Sequence, residues 1–265
     1  MALVYQVTPI AAFTDNYIWA IHDEQFAWVV DPGDAAPVLA WLQRSGRLLA
    51  GMLLTHHHAD HIGGVAALLG RCGPLPVYGP ADRRLPATVA ALADGDHLDI
   101  EWSGAGGRLA LEVMAVPGHT ATHIAFYAAA PGWLFCGDTL FSVGCGRLFE
   151  GTAAEMQTSL DRLAALPAAT RVYCAHEYTA ANCRFALAVE PDNPALRARA
   201  TEVETLRAAG QPTLPSTIGC ERDCNPFLRS REPAVVAAAR RHEPDAPATA
   251  PAEVLAVIRR WKDRF

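Results

Sequence analysis

A histidine-rich run between two apolar segments constrains this chain more than any other feature. Residues 55–61 read Thr-His-His-His-Ala-Asp-His, and five of these seven side chains can bind a transition metal. Side chains two apart in an extended segment point the same way, so we expect His56 and His58 to converge. Asp60 and His61 follow in a predicted turn, where they can serve a neighbouring second ion. Imidazole and carboxylate together suit zinc, iron or manganese rather than calcium or an all-thiolate zinc site.

The charge distribution limits the ligands that this chain can bind. The net charge is −6 over 265 residues, which does not favour non-specific binding of nucleic acid. Residues 1–176 carry 9 basic and 16 acidic side chains, whereas residues 177–265 carry 13 and 12. An anionic ligand would therefore need a local basic pocket, and the C-terminal third is the part of the chain that can supply one.

Cysteine usage and hydropathy predict a soluble protein of a reducing compartment. The seven cysteines form no CxxC pair, and an odd number in a chain of this length favours free thiols. The first ten residues alternate like a strand and show no basic signal-peptide region. No apolar run approaches the ~20 residues of a membrane span. We therefore expect a cytoplasmic protein with no membrane partner, and we expect it to be a monomer.

The order of the predicted elements indicates a layered sheet protein followed by helices. In residues 1–176 we predict strands at Val4–Thr8, Tyr17–Ile21, Phe26–Val30, Gly51–Leu54, Val77–Tyr78, Leu109–Val116, His123–Tyr127, Trp133–Cys136 and Val172–Cys174, with helices at Ala36–Arg44, Ile62–Leu69 and Ala153–Leu166. After residue 176 we predict helices only, at Asn182–Val189, Pro194–Ala209, Ala234–Arg241 and Ala252–Trp261. We therefore predict two domains, residues 1–176 and 177–265.

Three further candidate ligands follow predicted strands. His119, Asp138 and His176 each lie just past the end of an apolar strand. Taken singly, a strand-end His or Asp is more often a turn or capping residue. Together with the four candidates of the histidine-rich run, they give seven ligands, which is enough for two ions with open positions for water. A shared Asp138 could bridge the pair, because two-metal hydrolases hold their ions a few Å apart.

This constellation resembles the metallo-β-lactamase superfamily, and within it the glyoxalase II (hydroxyacylglutathione hydrolase) family. The resemblance covers nearly the whole chain. Its shared motifs are Asp15-Asn-Tyr-Ile-Trp19, Asp31-Pro-Gly33, Thr55–Gly64, Pro117-Gly-His-Thr120 and Gly137-Asp-Thr-Leu-Phe141. The more diagnostic motifs are Gly144–Gly151, His176-Glu-Tyr178, Asn225-Pro-Phe227 and Arg259-Arg-Trp-Lys262. The resemblance implies an α+β fold, an αββα sandwich followed by a C-terminal all-helical domain.

The resemblance also implies the roles of the metal ligands. His56, His58 and His119 would hold the first metal, and Asp60, His61 and His176 the second, with Asp138 bridging them. A hydroxide held by Asp138 and the ligand set would attack the substrate carbonyl, with Asp60 acting as a ligand rather than a general base. Asp31 is a candidate partner that orients a ligand histidine. We expect two divalent ions per chain, zinc first, with iron and manganese as alternatives.

Four basic or aromatic residues match family positions that contact glutathione: Arg147, Tyr178, Arg259 and Lys262. Phe149 stands where animal and plant members often have Tyr, so the phenolic hydrogen bond is missing there. Lys262 is the single lysine in a chain with 21 arginines. On a helix Arg259 and Lys262 share a face and could bind a carboxylate, although a basic helix end is also favourable to the helix dipole.

The implied reaction is hydrolysis of an S-(2-hydroxyacyl)glutathione, with S-D-lactoylglutathione as the expected substrate and glutathione and D-lactate as products. A thiolate with a thiol pKa near ~8.5–9 leaves without a general acid. That fits a sequence with no Ser or Cys nucleophile in a triad.

Three alternatives remain open on the sequence. A persulfide dioxygenase would use one iron held by two His and one Asp, and would lack the long helical extension. A nucleic-acid-processing relative would need a basic groove, which the acidic residues 1–176 do not suggest. A protein that binds metal but has lost catalysis would keep the ligands without turnover.

Overall fold

The computed structural model describes residues 5–101 and 108–265, which form two compact units. The first unit runs to Ala115 and includes Thr122–Gly137, and the second comprises Val116–Ala121 and Asp138–Phe265. The predicted boundary at residue 176 remains a prediction. The predicted strand over Val4–Thr8 begins outside the described residues.

The first unit contains two sets of strands. One is a six-stranded sheet in which consecutive strands are neighbours: β1 (Gln6–Ala12), β2 (Asn16–His22), β3 (Phe26–Val30), β4 (Leu48–Leu53), β5 (Val77–Pro80) and β6 (Ala90–Leu92). Its first three strands pair antiparallel, and the pairings from β3 to β6 are parallel. The other set is an antiparallel meander of β7 (His97–Glu101), β8 (Arg108–Ala115), β9 (Ile124–Ala128) and β10 (Trp133–Gly137).

The described part of the first unit contains three helices: α1 (Ala35–Ser45), α2 (Ala59–Ile62) and α3 (Val65–Cys72). The core forms where one face of the six-stranded sheet meets α1 and α3. Ala27 and Val29, two apart on β3, join Val38 of α1 and Leu68 of α3 in one buried cluster. This alternation along β3 follows from the two-residue period of a strand.

The second unit is mostly helical. Its helices are α4 (Ala153–Ala164), α5 (Thr179–Val189), α6 (Pro194–Ala208), α7 (Ile218–Cys224), α8 (Pro233–His242) and α9 (Pro251–Asp263). Its strands are β11 (Leu140–Phe141), β12 (Gly144–Cys145), β13 (Arg171–Cys174) and β14 (Ser216–Thr217). α4 begins with a capping box in which Thr152 and Glu155 satisfy each other's backbone amides.

The structure differs from the sequence-based prediction at several elements. Asp60 and His61 lie on the short helix α2 rather than in a turn, because the carbonyl of His58 accepts from the amides of His61 and Ile62 at 2.9 and 3.2 Å. The predicted helix over Ile62–Leu69 is wrong in its start and end, since α3 runs from Val65 to Cys72. The sequence reading missed β6, β7, β11, β12, β14 and α7, which are short or weakly apolar.

Candidate active site

The histidine-rich run follows directly after β4 and leads into α2. His56 and His61 are buried, and His58 lies in an extended conformation at the N-cap of α2. His56 Nε2 and His58 Nδ1 are 3.1 Å apart, so these two side chains converge as the extended spacing predicts. His57 instead faces Asp82, with its Nδ1 at 3.5 Å from the carboxylate.

Asp31 fixes the orientation of the histidine-rich run through contacts with Thr55 and His61. This buried carboxylate accepts from the Thr55 amide at 2.8 Å and from the Thr55 hydroxyl at 2.7 Å. It also lies 3.0 Å from His61 Nδ1. A carboxylate there assigns the proton to Nδ1, which makes Nε2 the lone-pair nitrogen of His61. Asp31 adopts φ +54°, a left-handed conformation that brings both of its carboxylate oxygens to these donors.

Asp60 is held beside His61 by two neighbours. Its Oδ2 accepts from the Asn16 amide at 3.0 Å and lies 3.4 Å from His61 Nε2. Gly33 allows this approach, because a Cβ at that position would lie 1.7 Å from the carbonyl oxygen of Asp60. The Asp31-Pro-Gly33 motif thus supports both Asp60 and His61.

A second cluster forms within the second unit around Asp138. Its Oδ2 lies 3.5 Å from His119 Nε2, and its Oδ1 lies 3.4 Å from His176 Nε2. All three side chains are buried. The Nδ1–H of His119 donates to the carbonyl of Arg147 at 2.8 Å, which leaves Nε2 as the nitrogen that faces Asp138. The ring of Tyr178 stacks on that of His176 with centroids 4.7 Å apart.

Gly146 makes room for this cluster. A Cβ at this position would lie 2.0 Å from the carbonyl oxygen of Asp138 and 3.0 Å from His119 Nδ1. Only glycine therefore lets the segment after β12 pass this close to Asp138 and His119, which is a physical reason for glycine at position 146.

The donor atoms of both clusters suit transition-metal ions. Two nitrogens bound tetrahedrally at about 2.0–2.1 Å from one ion lie roughly 3.3 Å apart. The pairs His56–His58, Asp60–His61, His119–Asp138 and His176–Asp138 have donor separations of 3.1, 3.4, 3.5 and 3.4 Å. Neutral imidazoles oriented by Asp31 and by a backbone carbonyl are the form in which histidine binds metal.

A cavity of about 430 Å³ in the second unit includes His119 and Asp138 in its wall. Its other lining residues are Phe141, Cys145, Gly146, Arg147, Phe149, Tyr178, Ala181, Asn182, Arg259 and Lys262. Three cationic side chains thus share one pocket with two candidate metal ligands. An anionic ligand of this acidic chain would need such a local basic pocket; Arg259 and Lys262 come from the C-terminal third, as expected, whereas Arg147 precedes it.

Arg259 is buried in the wall of this pocket and is held in place from two sides. One guanidinium nitrogen donates to the carbonyl of Cys145 at 2.8 Å, and the other donates to Asp263 at 3.1 Å. The group also lies over the ring of Phe227, 5.2 Å from its centroid. Asp263 approaches Arg147 as well, at 3.4 Å, so one carboxylate contacts two of the three cations and offsets one of their charges.

Lys262 is held by Asn182, one turn into α5. Its ammonium donates to Asn182 Oδ1, and the Asn182 amide donates to the carbonyl of Ser142 at 2.8 Å. Burial, and next the neighbouring Arg259 cation, lower the pKa of the Lys262 ammonium to about 7. An anionic ligand in the pocket would favour the charged form and raise this pKa.

The residues predicted from the sequence fall into two groups. His56, His58, Asp60 and His61 gather in the first unit, and His119, Asp138 and His176 gather in the second. Arg147, Tyr178, Arg259 and Lys262 all line the pocket of the second unit. Phe149 lines it too, with its ring edge on His119 at 5.3 Å between centroids and most of its surface exposed.

Sequence reasoning missed three residues that position the site: Asn16, Asn182 and Asp263. Asn16 lies at the start of β2, within the Asp15–Trp19 motif, and Asn182 lies on α5, one helical turn after Tyr178. Asp263 follows the single lysine directly. The spacing could have revealed Asp263, because it lies one helical turn from Arg259 and side chains four apart on a helix can pair.

The metallo-β-lactamase superfamily model matches residues 13–176, and the model of the hydroxyacylglutathione hydrolase C-terminus matches residues 177–265. The hydroxyacylglutathione hydrolase of Cupriavidus taiwanensis is 57% identical over 98% of this chain and 99% of its own. That of Aeromonas hydrophila is 52% identical over 99% of this chain and 100% of its own.

Solved structures show the same fold. ETHE1 from Myxococcus xanthus superposes with a TM-score of 0.63 at 24% identity, covering 98% of both chains. TTHA1623 in a di-iron-bound form gives a TM-score of 0.60 at 26% identity, covering 83% of this chain and all of that one.

The chain belongs to the metallo-β-lactamase superfamily. Within that superfamily it is a member of the hydroxyacylglutathione hydrolase family. The curated relatives of that name are about half identical to this chain over nearly their full length. The family, the α+β fold class and the hydrolase class predicted from the sequence are confirmed. Family membership, together with groups of His and Asp side chains whose ligand atoms lie close together, indicates a dinuclear centre for divalent metal ions.

Within residues 5–101 and 108–265, none of the helices combines the length and the apolar character needed to cross a bilayer.

Asp31→Asn should weaken metal binding without unfolding the protein. The amide keeps one acceptor for the Thr55 donors but loses the charge that assigns the Nδ1 proton of His61. Loss of such an orienting partner costs about 10–100-fold in metal affinity or activity. Metal affinity measured by competition with a chelator checks this expectation. Asp34→Asn is a matched control, because the Asp34 carboxylate caps α1, and unchanged metal affinity in Asp31→Asn would contradict the role.

Proposed function

We propose that this chain hydrolyses S-(2-hydroxyacyl)glutathione thioesters, with S-D-lactoylglutathione as the preferred substrate, to glutathione and D-lactate. The single observation that carries the proposal is the composition of the pocket. His119 and Asp138 line the same cavity as Arg147, Arg259 and Lys262. A substrate bound there places its reacting carbonyl beside candidate metal ligands and its anionic part beside cations.

Glutathione fits the charge of this pocket. The tripeptide carries two carboxylates and one ammonium, and the pocket offers three cations against the single carboxylate of Asp263, which contacts two of them. Arginine can bind a carboxylate through two parallel hydrogen bonds, whereas lysine acts as a compact charge. We assign Arg259 and Lys262 to a carboxylate of glutathione, and Arg147 and Tyr178 to the rest of the tripeptide. Phe149 contributes apolar contact where a tyrosine would add a hydrogen bond.

For the metal centre, we propose that His56, His58 and His119 hold one divalent ion and that Asp60, His61 and His176 hold the other, with Asp138 binding both. The donor set suits zinc, and it also suits iron or manganese. Bound divalent ions lower the pKa of water toward ~7 and polarise a carbonyl. The relative TTHA1623 was solved in a di-iron-bound form, which supports iron as an alternative.

The chain's own residues complete the chemistry. Asp31 and the Arg147 carbonyl hold two ligand imidazoles in the tautomer that presents Nε2. Arg259 and Lys262 hold the anionic part of the substrate. Because the bound substrate is already oriented, less entropy is lost when its carbonyl reacts. A glutathione thiolate leaves without protonation by a general acid, because a thiol with a pKa near ~8.5 is a good leaving group. Monomeric state and cytoplasmic location remain predictions.

The test is loss of thioester absorbance with S-D-lactoylglutathione, on protein assayed for metal content. Turnover that a chelator abolishes and that zinc, iron or manganese restores would support the reaction and its metal dependence. The D-lactoyl thioester of N-acetylcysteamine, which has no carboxylate and no free amine to capture the acyl group, is the matched control substrate and should be hydrolysed far less efficiently. Metal-replete protein without turnover would contradict the proposal, and oxygen uptake with glutathione persulfide would then favour the dioxygenase alternative.

The pH dependence of substrate binding should report Lys262. A lysine with a pKa of about 7 loses its charge as pH rises through that value. Since kcat/KM reports groups of the free enzyme, kcat/KM for the glutathione thioester should fall above about pH 7 through a rising KM. Lys262→Arg keeps the charge at all these pH values and should remove the fall in kcat/KM. The same decline in Lys262→Arg would contradict the assignment.

A further inference from the structure

α7 carries two cysteines on one face, four residues apart. Cys220 Sγ and Cys224 Sγ are 3.7 Å from each other. Cys224 belongs to the apolar cluster that also holds Cys183 of α5, and Cys220 packs against that cluster. The proposed hydrolysis uses neither thiol, and the pair lies outside the cavity that contains Arg259 and Lys262.

The two thiols differ in exposure and in hydrogen bonding. Cys224 is buried, and its Sγ donates to the carbonyl of Cys220 at 2.8 Å. Cys220 is partly exposed. The contact between the two sulfurs lowers the pKa of Cys220 and the Arg199 guanidinium acts in the same direction, while burial and the carboxylates of Glu221 and Glu202 oppose this shift. The same contact and burial raise the pKa of Cys224. An accessible thiol beside a buried second thiol is the arrangement of an attacking and a resolving cysteine.

We propose that Cys220 and Cys224 are a redox-active dithiol that a low-molecular-weight disulfide such as glutathione disulfide oxidises to an intramolecular disulfide. The Cys220 thiolate attacks one sulfur of the small disulfide, which forms a mixed disulfide and releases one thiolate. Cys224 then loses its proton to solvent and attacks the Cys220 sulfur, which releases the second thiolate. The protein loses two electrons and two protons, and the small disulfide becomes two thiols.

Closure of this bond must distort the end of α7. Side chains four apart on a helix have Cβ atoms roughly 5–6 Å apart, whereas a disulfide needs about 3.8 Å. The residue that follows Cys224 is Asn225, whose side-chain amide donates to the carbonyls of Phe141 and Gly144 at 3.2 and 2.9 Å. Glu221, between the two cysteines, accepts from the amide of Val143 at 2.7 Å. α7 therefore holds the turn between β11 and β12.

That turn leads into the pocket wall. Phe141, just before the turn, and Cys145, on β12 after it, line the cavity. The Cys145 carbonyl also accepts a hydrogen bond from Arg259. Val143 adopts φ +58°, a conformation that a β-branched residue keeps only when its surroundings impose it. Movement of Glu221 and Asn225 would release this constraint. Oxidation should therefore raise KM for the glutathione thioester several-fold, an effect that rests on the proposed function.

The covalent test needs no activity. Metal-loaded protein is equilibrated with glutathione disulfide, its remaining thiols are alkylated, and it is digested with trypsin. Arg222 lies between the two cysteines, so cleavage places them on separate peptides, residues 208–222 and 223–229. A linked pair of these peptides that a reductant separates is the expected result. Unlinked peptides, or a link to the peptide that carries Cys183, would overturn the proposal.

Single variants test the order of attack. Cys224→Ser should stop at the mixed disulfide, with one glutathione retained on Cys220, whereas Cys220→Ser should give no adduct at the buried Cys224. The exposed Cys72 is a matched control, since it should take up glutathione and form no internal bond. Absence of an adduct on Cys220 in folded Cys224→Ser would overturn its role as the attacking thiol.

The effect on activity is measured as KM for the glutathione thioester. Oxidised and reduced wild-type protein are compared with the double variant Cys220→Ser/Cys224→Ser treated in the same way. We expect KM to rise only in the oxidised wild type, with its metal content unchanged, and to recover after reduction. A disulfide that forms without any change in KM would overturn the coupling to the pocket. If the protein forms the disulfide but never hydrolyses the thioester, the proposed function is contradicted and the proposed redox-active dithiol is not.

Discussion

Asp138→Ala is expected to lose bound metal and thioester hydrolysis together. Each carboxylate oxygen of Asp138 faces one imidazole, His119 at 3.5 Å and His176 at 3.4 Å. The variant leaves only neutral donors in this cluster and removes the one anion that could screen two dications from each other. The loss of kcat/KM should exceed the ~10–100-fold typical of an orienting partner. Metal analysis by atomic emission and thioester hydrolysis on the same sample measure both effects.

Two controls separate this role from a loss of stability. Asp161→Asn removes a carboxylate from an exposed pair with Arg231, which contributes only ~0–1 kcal/mol, so metal and activity should persist. Asp138→Asn keeps the size of the side chain and one oxygen, and it should bind less metal because the charge is gone. Full turnover by metal-replete Asp138→Ala would contradict the bridging role. A melting temperature measured on each apo-protein shows whether the fold survives.

The candidate ligands could be found from sequence because their spacing is local. His56 and His58 follow from the two-residue period of an extended segment, and His119, Asp138 and His176 each follow an apolar strand that period and composition reveal. Arg259 and Lys262 follow from helical spacing, and the structure places both in one pocket wall. Each of these inferences needs only neighbours within one element.

The supports of the site could not be found in this way, because they join residues far apart in the chain. β11 and β12 have two residues each, too few to show a period. The turn between them depends on Glu221 and Asn225, about 80 residues later. The wrong start of α3 has a local cause: α2 ends at Ile62, and Gly63 and Gly64 separate it from α3. A run of apolar residues alone does not reveal that break.

Substituting alanine for both Arg259 and Lys262 should raise KM for the glutathione thioester roughly 100-fold or more while kcat changes little. A hydrogen bond to a charged group contributes about 1.5–3 kcal/mol, and each factor of ten corresponds to about 1.4 kcal/mol. Two such contacts that bind substrate and transition state equally appear in KM rather than in kcat. Steady-state kinetics with S-D-lactoylglutathione, extended to saturating substrate, separate the two constants.

The same helix offers a control with equal change of charge. Arg260 and Arg264 both pair with Glu243 and are absent from the pocket lining, so Arg260→Ala/Arg264→Ala removes two cations and should leave KM near the wild-type value. Arg259 also holds the Cys145 carbonyl, and Lys262→Met alone therefore tests the charge without that structural contact. An unchanged KM in both pocket variants would mean that glutathione binds elsewhere. A KM that rises equally in the control would mean that net charge, rather than this pocket, attracts the substrate.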